Sequence, residues 1–140
     1  MLWIRINAKA HFEREKSMRV FTISVMMLIC SISSATAEAV KLSGDEIRDL
    51  ISGNTAFGRL DGEKYHQWFG PDNVTLRTTE GSTTMRGKWR VDDSSQELQT
   101  LWFGEEMWTG RFIMEFGNTF YWVSKVTPPT PFQVQKGKIK

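Results

Sequence analysis

Two adjacent carboxylates, Asp92 and Asp93, are the most conspicuous candidates for acid–base chemistry in this sequence of 140 residues. A glycosidase-type pair, however, needs two carboxylates that face each other across a cleft. Adjacent residues at the end of a strand point to opposite sides, and the two serines that follow are typical of turns, where short polar side chains bind local backbone N–H groups. We therefore predict that residues 87–103 form a hairpin with Trp89 inside and a polar turn at its tip.

His66 is the second candidate, because it is the only histidine after residue 37 and has Asp61 and Glu63 nearby in sequence. A hydrolase in which His66 acts with a carboxylate and a hydroxyl stays open, since the members of such a triad can be far apart in sequence. The sequence contains no G-x-S-x-G or H-E-x-x-H motif, and a single histidine does not make a metal site. We predict a protein that is not an enzyme and has no metal or cofactor.

Three basic side chains alternate along one predicted strand and face the same side of it: Arg86, Lys88 and Arg90. Together with Arg77 on the neighbouring strand, this row could follow a phosphate backbone, and interleaved tryptophans would help to bind a single strand. Trp89, however, points to the opposite face, and residues 38–140 carry 13 basic and 14 acidic side chains. We predict a solvated outer face and no nucleic-acid partner.

Residues 18–37 have the order of charge, apolar run and small residues that is typical of a signal peptide. Arg19 precedes an apolar run that is too short to cross a bilayer, for which roughly 20 residues are needed. The alanines that follow fit the A-x-A pattern of signal peptidase sites. We predict cleavage after Ala37, with Ala39 as the alternative, and export to the periplasm.

This signal sets the remaining boundaries of the chain. Residues 1–17 are charged and without periodicity, so we interpret them as an over-long gene start, with translation beginning at Met18; an extended n-region that begins at Met1 is the alternative. Residues 38–140 then form a single domain with no transmembrane segment. The only cysteine, Cys30, lies within the signal, so the domain has no disulfide and depends on its aromatic residues for stability.

Residues 41–55 predict the one clear helix. Ser43 and Glu46 match a capping box, in which each side chain satisfies a free N–H group of the first turn. Apolar residues recur at i, i+3 and i+4 along one face, so the helix must pack against another element. Gly53 is suited to end the helix, because glycine tolerates the left-handed conformation that often follows one.

The rest of the domain alternates with a period of two, which is typical of half-buried antiparallel strands. Eight strands are predicted, near residues 55–59, 64–69, 74–79, 83–91, 97–103, 107–116, 119–125 and 132–136. Gly117-Asn118 predicts a tight hairpin between two of them. One short N-terminal helix and eight strands favour a small antiparallel, lipocalin-like β-barrel, since closure removes the exposed edges of an open sheet.

The interior of this barrel is predicted to be aromatic. Along residues 108–116, the row of alternate residues that includes Trp108, Gly110, Phe112 and Met114 is placed inside because it is the more apolar of the two rows. Most aromatic rings must fill the core, but a surplus could line a pocket for an apolar ligand. The candidate ligand-binding residues are Trp89, Trp108, Phe112 and Met114.

The helix segment L-S-G-D-E-I-R-D-L-I-S-G-N-T and the later strand G-K-W-R-V resemble a family of small exported proteins of alphaproteobacteria. Proteins of that family begin with L-[ST]-G-x-E-[IL]-R-x-L-[LI]-x-G-N-T and carry a later G-x-W-x-[VL] strand. The resemblance covers most of residues 41–125 and implies a periplasmic location and a lipocalin-like barrel. It implies no catalytic residue. Members often carry a cysteine after the G-x-W strand, where this sequence reads Ser-Ser-Gln-Glu-Leu.

Three functional hypotheses follow, and each predicts a different structure. A non-catalytic binding module for a small apolar ligand or a protein partner, which we favour, predicts an enclosed aromatic cavity. A surface-acting envelope structural or inhibitor protein predicts a filled barrel with an exposed aromatic patch. A hydrolase predicts a cleft in which His66 is hydrogen-bonded to a carboxylate and a hydroxyl.

Overall fold

The computed structural model describes residues 37–139. The predicted gene-start segment 1–17 and residues 18–36 of the predicted signal lie outside the described residues. The chain forms one short helix and nine strands, in the order β1 (Val40–Lys41), α1 (Gly44–Ile51), β2 (Asn54–Leu60), β3 (Glu63–Phe69), β4 (Val74–Thr79), β5 (Met85–Asp92), β6 (Glu97–Trp102), β7 (Thr109–Phe116), β8 (Thr119–Val123) and β9 (Thr130–Lys136).

Strands β2 to β9 close into an antiparallel barrel, which confirms the predicted fold. Each strand pairs with the next from β2 to β9, and β9 pairs with β2 to complete the ring. The sequence analysis missed β1, a two-residue strand that pairs with the second half of β7. Because β6 pairs only with the first half of β7, β1 covers backbone groups of β7 that would otherwise form an open edge.

Helix α1 begins at the predicted capping box and packs its apolar face into the core of the barrel. The backbone N–H of Ser43 donates to Glu46 Oε2 at 2.7 Å, and the N–H of Glu46 donates to Ser43 Oγ at 3.4 Å. Ile47 and Ile51 have no solvent exposure and belong to the hydrophobic core. Within residues 37–139, no helix has the length and hydropathy needed to span a membrane.

The tip of the β5–β6 hairpin holds the start of this helix. Asp92 accepts hydrogen bonds from the backbone N–H and the hydroxyl of Ser94, and these bonds lower the pKa of the Asp92 carboxyl. Asp93 forms an ion pair with Arg48 of the helix at 2.6 Å, and Gln96 accepts a hydrogen bond from the backbone N–H of Gly44. The two carboxylates are therefore turn and docking groups, as the prediction of a hairpin requires.

The predicted inward face of β7 is wrong. Ile113 has no solvent exposure and lies opposite the buried Trp122 of β8, whereas Phe112 lies on the outer face with Lys41 Nζ 3.8 Å from its ring centroid. The two-residue turn Gly117-Asn118 fixes this register, because it pairs Phe116 with Thr119. The row of Phe112, Met114 and Phe116 therefore lies on the outside although it is more apolar, and the row that contains Ile113 faces inward.

The two ends of the barrel differ in how they are filled. The strands run so that α1 and the turns 93–96 and 117–118 lie at one end, and the loops 80–84, 103–108 and 124–129 lie at the other. The core residues are concentrated at the helix end: Leu42, Ile47, Ile51, Ala56, Phe69, Trp89, Leu98, Ile113, Trp122 and Phe132. The helix therefore closes one end of the barrel, and we call the opposite end the mouth.

Truncating the side chain that fills the closed end should destabilise the whole barrel. We expect Ile47→Ala to lower the free energy of unfolding by about 2–5 kcal/mol, because a buried side chain is lost and a cavity remains. Leu50→Ala, on the same helix but only partly buried, is the control and should cost less. Urea unfolding followed by tryptophan fluorescence measures both; equal losses for the two variants would contradict this role of α1.

Candidate ligand-binding site

A cavity of about 260 Å³ lies inside the mouth of the barrel. Its wall combines apolar, aromatic and polar side chains from seven strands, β2 to β8, with one carboxylate from the β6–β7 loop. The lining residues are Leu60, Gln67, Phe69, Arg77, Met85, Leu98, Thr100, Trp102, Glu105, Thr109, Arg111 and Trp122. The interior is therefore packed at the helix end and open at the mouth.

The floor of the cavity is also the upper layer of the core. Phe69, Leu98 and Trp122 belong to both. The ring of Trp122 is stacked on Phe132, with centroids 3.9 Å apart and planes inclined by 9°, and its indole N–H donates to the hydroxyl of Tyr65 at 2.8 Å. This packing holds the floor rigid, because the ring is restrained both by stacking and by a buried hydrogen bond.

Arg77 points into this cavity and not outward. It lies opposite Gln67 of β3 and Met85 of β5, and its guanidinium carbon lies 4.5 Å from the ring centroid of Trp102. The predicted position of Arg77 in the outer basic row is thus corrected: the register of β4 turns it inward, whereas Arg86, Lys88 and Arg90 are exposed as predicted.

The Nε atom of Arg77 is buried and has no hydrogen-bond partner among residues 37–139. Its terminal nitrogen Nη2 contacts only the sulfur of Met85, at 3.6 Å. A buried donor without a partner costs roughly 1–3 kcal/mol. The Nε–H group is therefore removed from water without gaining an acceptor among the described residues.

A second guanidinium, that of Arg111, lines the same cavity. Arg111 is in the inward row of β7 and lies opposite Leu98. Burial, followed by repulsion from Arg111, lowers the pKa of Arg77, although an arginine remains charged at any physiological pH. Glu105 is the one carboxylate in the lining. The ion pairs within residues 37–139 join Arg48 to Asp45 and to Asp93. Neither arginine of the cavity is therefore in an ion pair with a described residue.

The four candidate ligand-binding residues named from sequence do not line this cavity. Trp89 faces inward but is packed in the core, where its indole N–H donates to the carbonyl of Gly70 at 2.8 Å. Trp108 lies on the outer surface beneath the guanidinium of Arg90, 4.2 Å away. Phe112 and Met114 occupy the outer row of β7. The prediction that Trp108, Phe112 and Met114 line the interior was therefore wrong, because the opposite face of β7 points inward.

His66 is on the outer face of the barrel, opposite Phe57 of β2 and Thr78 of β4. The nearby hydroxyl of Thr78 is hydrogen-bonded to Thr84, and among residues 37–139 no hydrogen bond joins His66 to a carboxylate or a hydroxyl. The described residues also contain no group of three or more His, Cys, Asp or Glu side chains arranged to hold a metal ion. The geometry expected of the hydrolase is not present at His66.

His66 instead borders a larger groove, of about 850 Å³, on the outer face of β2, β3 and β9. Phe57, Pro131 and Ile139 contribute its apolar surface. The C-terminal segment forms one wall and is held in place because the hydroxyl of Thr55 donates to the carbonyl of Gly137 at 2.6 Å. This groove is larger than the mouth cavity and is also lined by two cations and one carboxylate, Arg59, Lys64 and Glu80. It lies outside the barrel, however, and all three side chains are exposed to water, so their charges are screened more strongly than those in the mouth.

Sequence reasoning missed Arg77 and Arg111, yet part of the signal for them was present. Counting outward from the Gly117-Asn118 turn pairs Ile113 with Trp122 and puts Arg111 on the same face as both. The turn thus determines which rows of the two strands share a face, but the inner face was predicted from hydrophobicity, whereas the pairing of all the strands in the ring decides it. No comparable signal in the sequence reveals that Arg77 lies over Trp102.

The comparisons with known proteins find no match to this chain among protein-family models, curated proteins or solved structures. The geometry of the site is therefore the observation on which a functional proposal must rest.

Removing one of the two like charges in the mouth should stabilise the protein. We expect Arg111→Met to raise the free energy of unfolding by about 0.5–1 kcal/mol, or roughly 2–8 °C in Tm, because repulsion and desolvation of the two guanidinium groups are relieved. Arg86→Met, on the exposed outer row, is the control and should change Tm little. Differential scanning calorimetry at low salt measures both, and an unchanged or lower Tm for Arg111→Met would contradict the repulsion.

Proposed function

We propose that this protein is an exported periplasmic binding protein that holds a small ligand in the mouth of its barrel without transforming it. The observation that carries the proposal is the cavity of about 260 Å³, open at the mouth and closed below by a rigid aromatic floor. Barrels of about eight strands are wide enough to hold one small ligand. The signal-like residues 18–37 support export.

The volume and the lining bound the kind of ligand. Pockets for drug-sized ligands usually enclose about 300–1,000 Å³, so a cavity of about 260 Å³ suits a small molecule. Aromatic walls with a few convergent polar groups are typical of binding sites, where the polar groups orient the ligand. Because Arg77 and Arg111 contribute to the lining, an amphipathic ligand suits this cavity better than an apolar one.

A second candidate, a surface-acting protein that binds a partner at the mouth, is favoured by one observation. Phe103 and Met107 of the β6–β7 loop are 94% and 78% exposed. Large apolar side chains exposed at the same loop are frequent at protein interfaces. Substitutions in the cavity and in this loop distinguish ligand binding in the mouth from partner binding by the loop.

Filling the cavity should abolish ligand retention. We expect native mass spectrometry of the protein purified from the periplasm of its own host to show a bound small-molecule mass, and Thr100→Phe to lose it, because Thr100 lines the cavity. Leu101→Phe is the control, since Leu101 is the next residue on β6 and faces the opposite side. Phe103→Ser should also leave the small-molecule mass unchanged.

Two results would overturn the binding proposal. Retention of the ligand by Thr100→Phe would place its site outside the mouth. Absence of any bound mass in the unmodified protein, together with loss of a protein partner in Phe103→Ser, would favour the surface-acting candidate.

A further inference from the structure

We propose that the ligand of the mouth cavity is a small organic monoanion whose acidic group lies between Arg77 and Arg111, with its apolar part on the aromatic floor. This inference rests on the proposed binding function and names the chemistry of its ligand. A carboxylate is the simplest such group, and a sulfonate offers the same single charge and similar acceptor oxygens.

The charge of the cavity favours an anion. Two guanidinium groups and one carboxylate, Glu105, line the space, so the lining carries a net charge of +1. Neither arginine has an ion-pair partner among residues 37–139. One negative charge between the guanidinium groups would replace their repulsion by two attractions, which in a partly dehydrated site are stronger than in water.

The hydrogen-bonding state of Arg77 favours the same ligand. Its Nε donor is buried without a described partner, and guanidinium groups bind carboxylate and phosphate oxygens through two parallel N–H donors. The ring of Trp102 lies against the guanidinium and fixes its plane. An acceptor that enters the cavity would thus meet a guanidinium group whose plane is already fixed, so that little entropy is lost on binding.

The rest of the lining favours an apolar body attached to the anionic group. Phe69, Leu98 and Trp122 form the floor, and Trp122 cannot offer its N–H to the ligand because it already donates to Tyr65. An inorganic anion alone would leave this apolar surface uncovered. A small aromatic or short aliphatic acid satisfies both parts of the cavity.

The test compares naphthalene-2-carboxylate with its neutral analogue, naphthalene-2-carboxamide, by isothermal titration calorimetry on the purified protein at low salt. The two probes share the same rings, and only one carries a charge. We expect the carboxylate to bind at least about tenfold more tightly, the scale of one charge-assisted hydrogen bond, and its affinity to fall as salt is added.

Arginine variants locate the anionic group. Arg77→Gln and Arg111→Gln should each weaken carboxylate binding about tenfold or more and leave carboxamide binding within a factor of about two. Arg90→Gln is the matched control, because Arg90 also lies over a tryptophan ring, that of Trp108, but on the outer surface. This variant should bind both probes like the unmodified protein.

The outcomes separate this inference from the binding proposal. Equal affinity for the two probes, or carboxylate binding that survives both Arg77→Gln and Arg111→Gln, would overturn the anionic ligand while leaving the mouth as a binding site. Saturable binding of neither probe would also overturn it, provided that the Thr100→Phe comparison still detects a retained ligand. If Thr100→Phe and Leu101→Phe instead retained the same amount of ligand in native mass spectrometry, the binding proposal itself would be overturned.

Discussion

The packing of one amphipathic helix into one end of the barrel is the contact on which the rest of the structure depends. Ile47 and Ile51 are fully buried between the strands. The tip of the β5–β6 hairpin binds both ends of this helix, through Gln96 to Gly44 in the first turn and through Asp93 to Arg48 in the last. An eight-stranded barrel without this helix would leave its lower aromatic residues in contact with water, at about 25 cal/mol for each Å² of apolar surface. With one end closed, the opposite end can stay open.

The open end is where the structure departs from what stability alone would favour. Within residues 37–139, Arg77 and Arg111 have no ion-pair partner and the Nε donor of Arg77 has no acceptor. Such groups are unfavourable in a folded protein, and an apolar interior would pack better. Such local costs are concentrated at functional sites, where the ligand supplies the missing interactions. The proposed anionic ligand would explain the positive charge in the mouth of this barrel, because it would supply the partner that the two arginines lack among residues 37–139.

Much of the fold is accessible from local pattern. The capping box at Ser43 and Glu46, the helix stop at Gly53, the eight main strands and the Gly117-Asn118 hairpin all appear where the sequence predicts them, because each depends on interactions within a few residues. The site was not accessible in the same way. Its lining residues come from seven strands and one loop. The inner row of β7 was assigned by hydrophobicity, whereas the pairing of all the strands in the closed ring decides which row faces inward.

By itself, the sequence determined the helix, the eight main strands and the turn role of Asp92 and Asp93, since hydrogen bonds within the backbone and between neighbouring side chains decide these features. Only the tertiary structure decided which face of each strand lines the barrel. A shift of one residue in register exchanges the two faces of a strand. The pairing of distant strands therefore determined that Arg77 and Arg111 line the same cavity in the mouth, while Phe112 and Met114 remain outside.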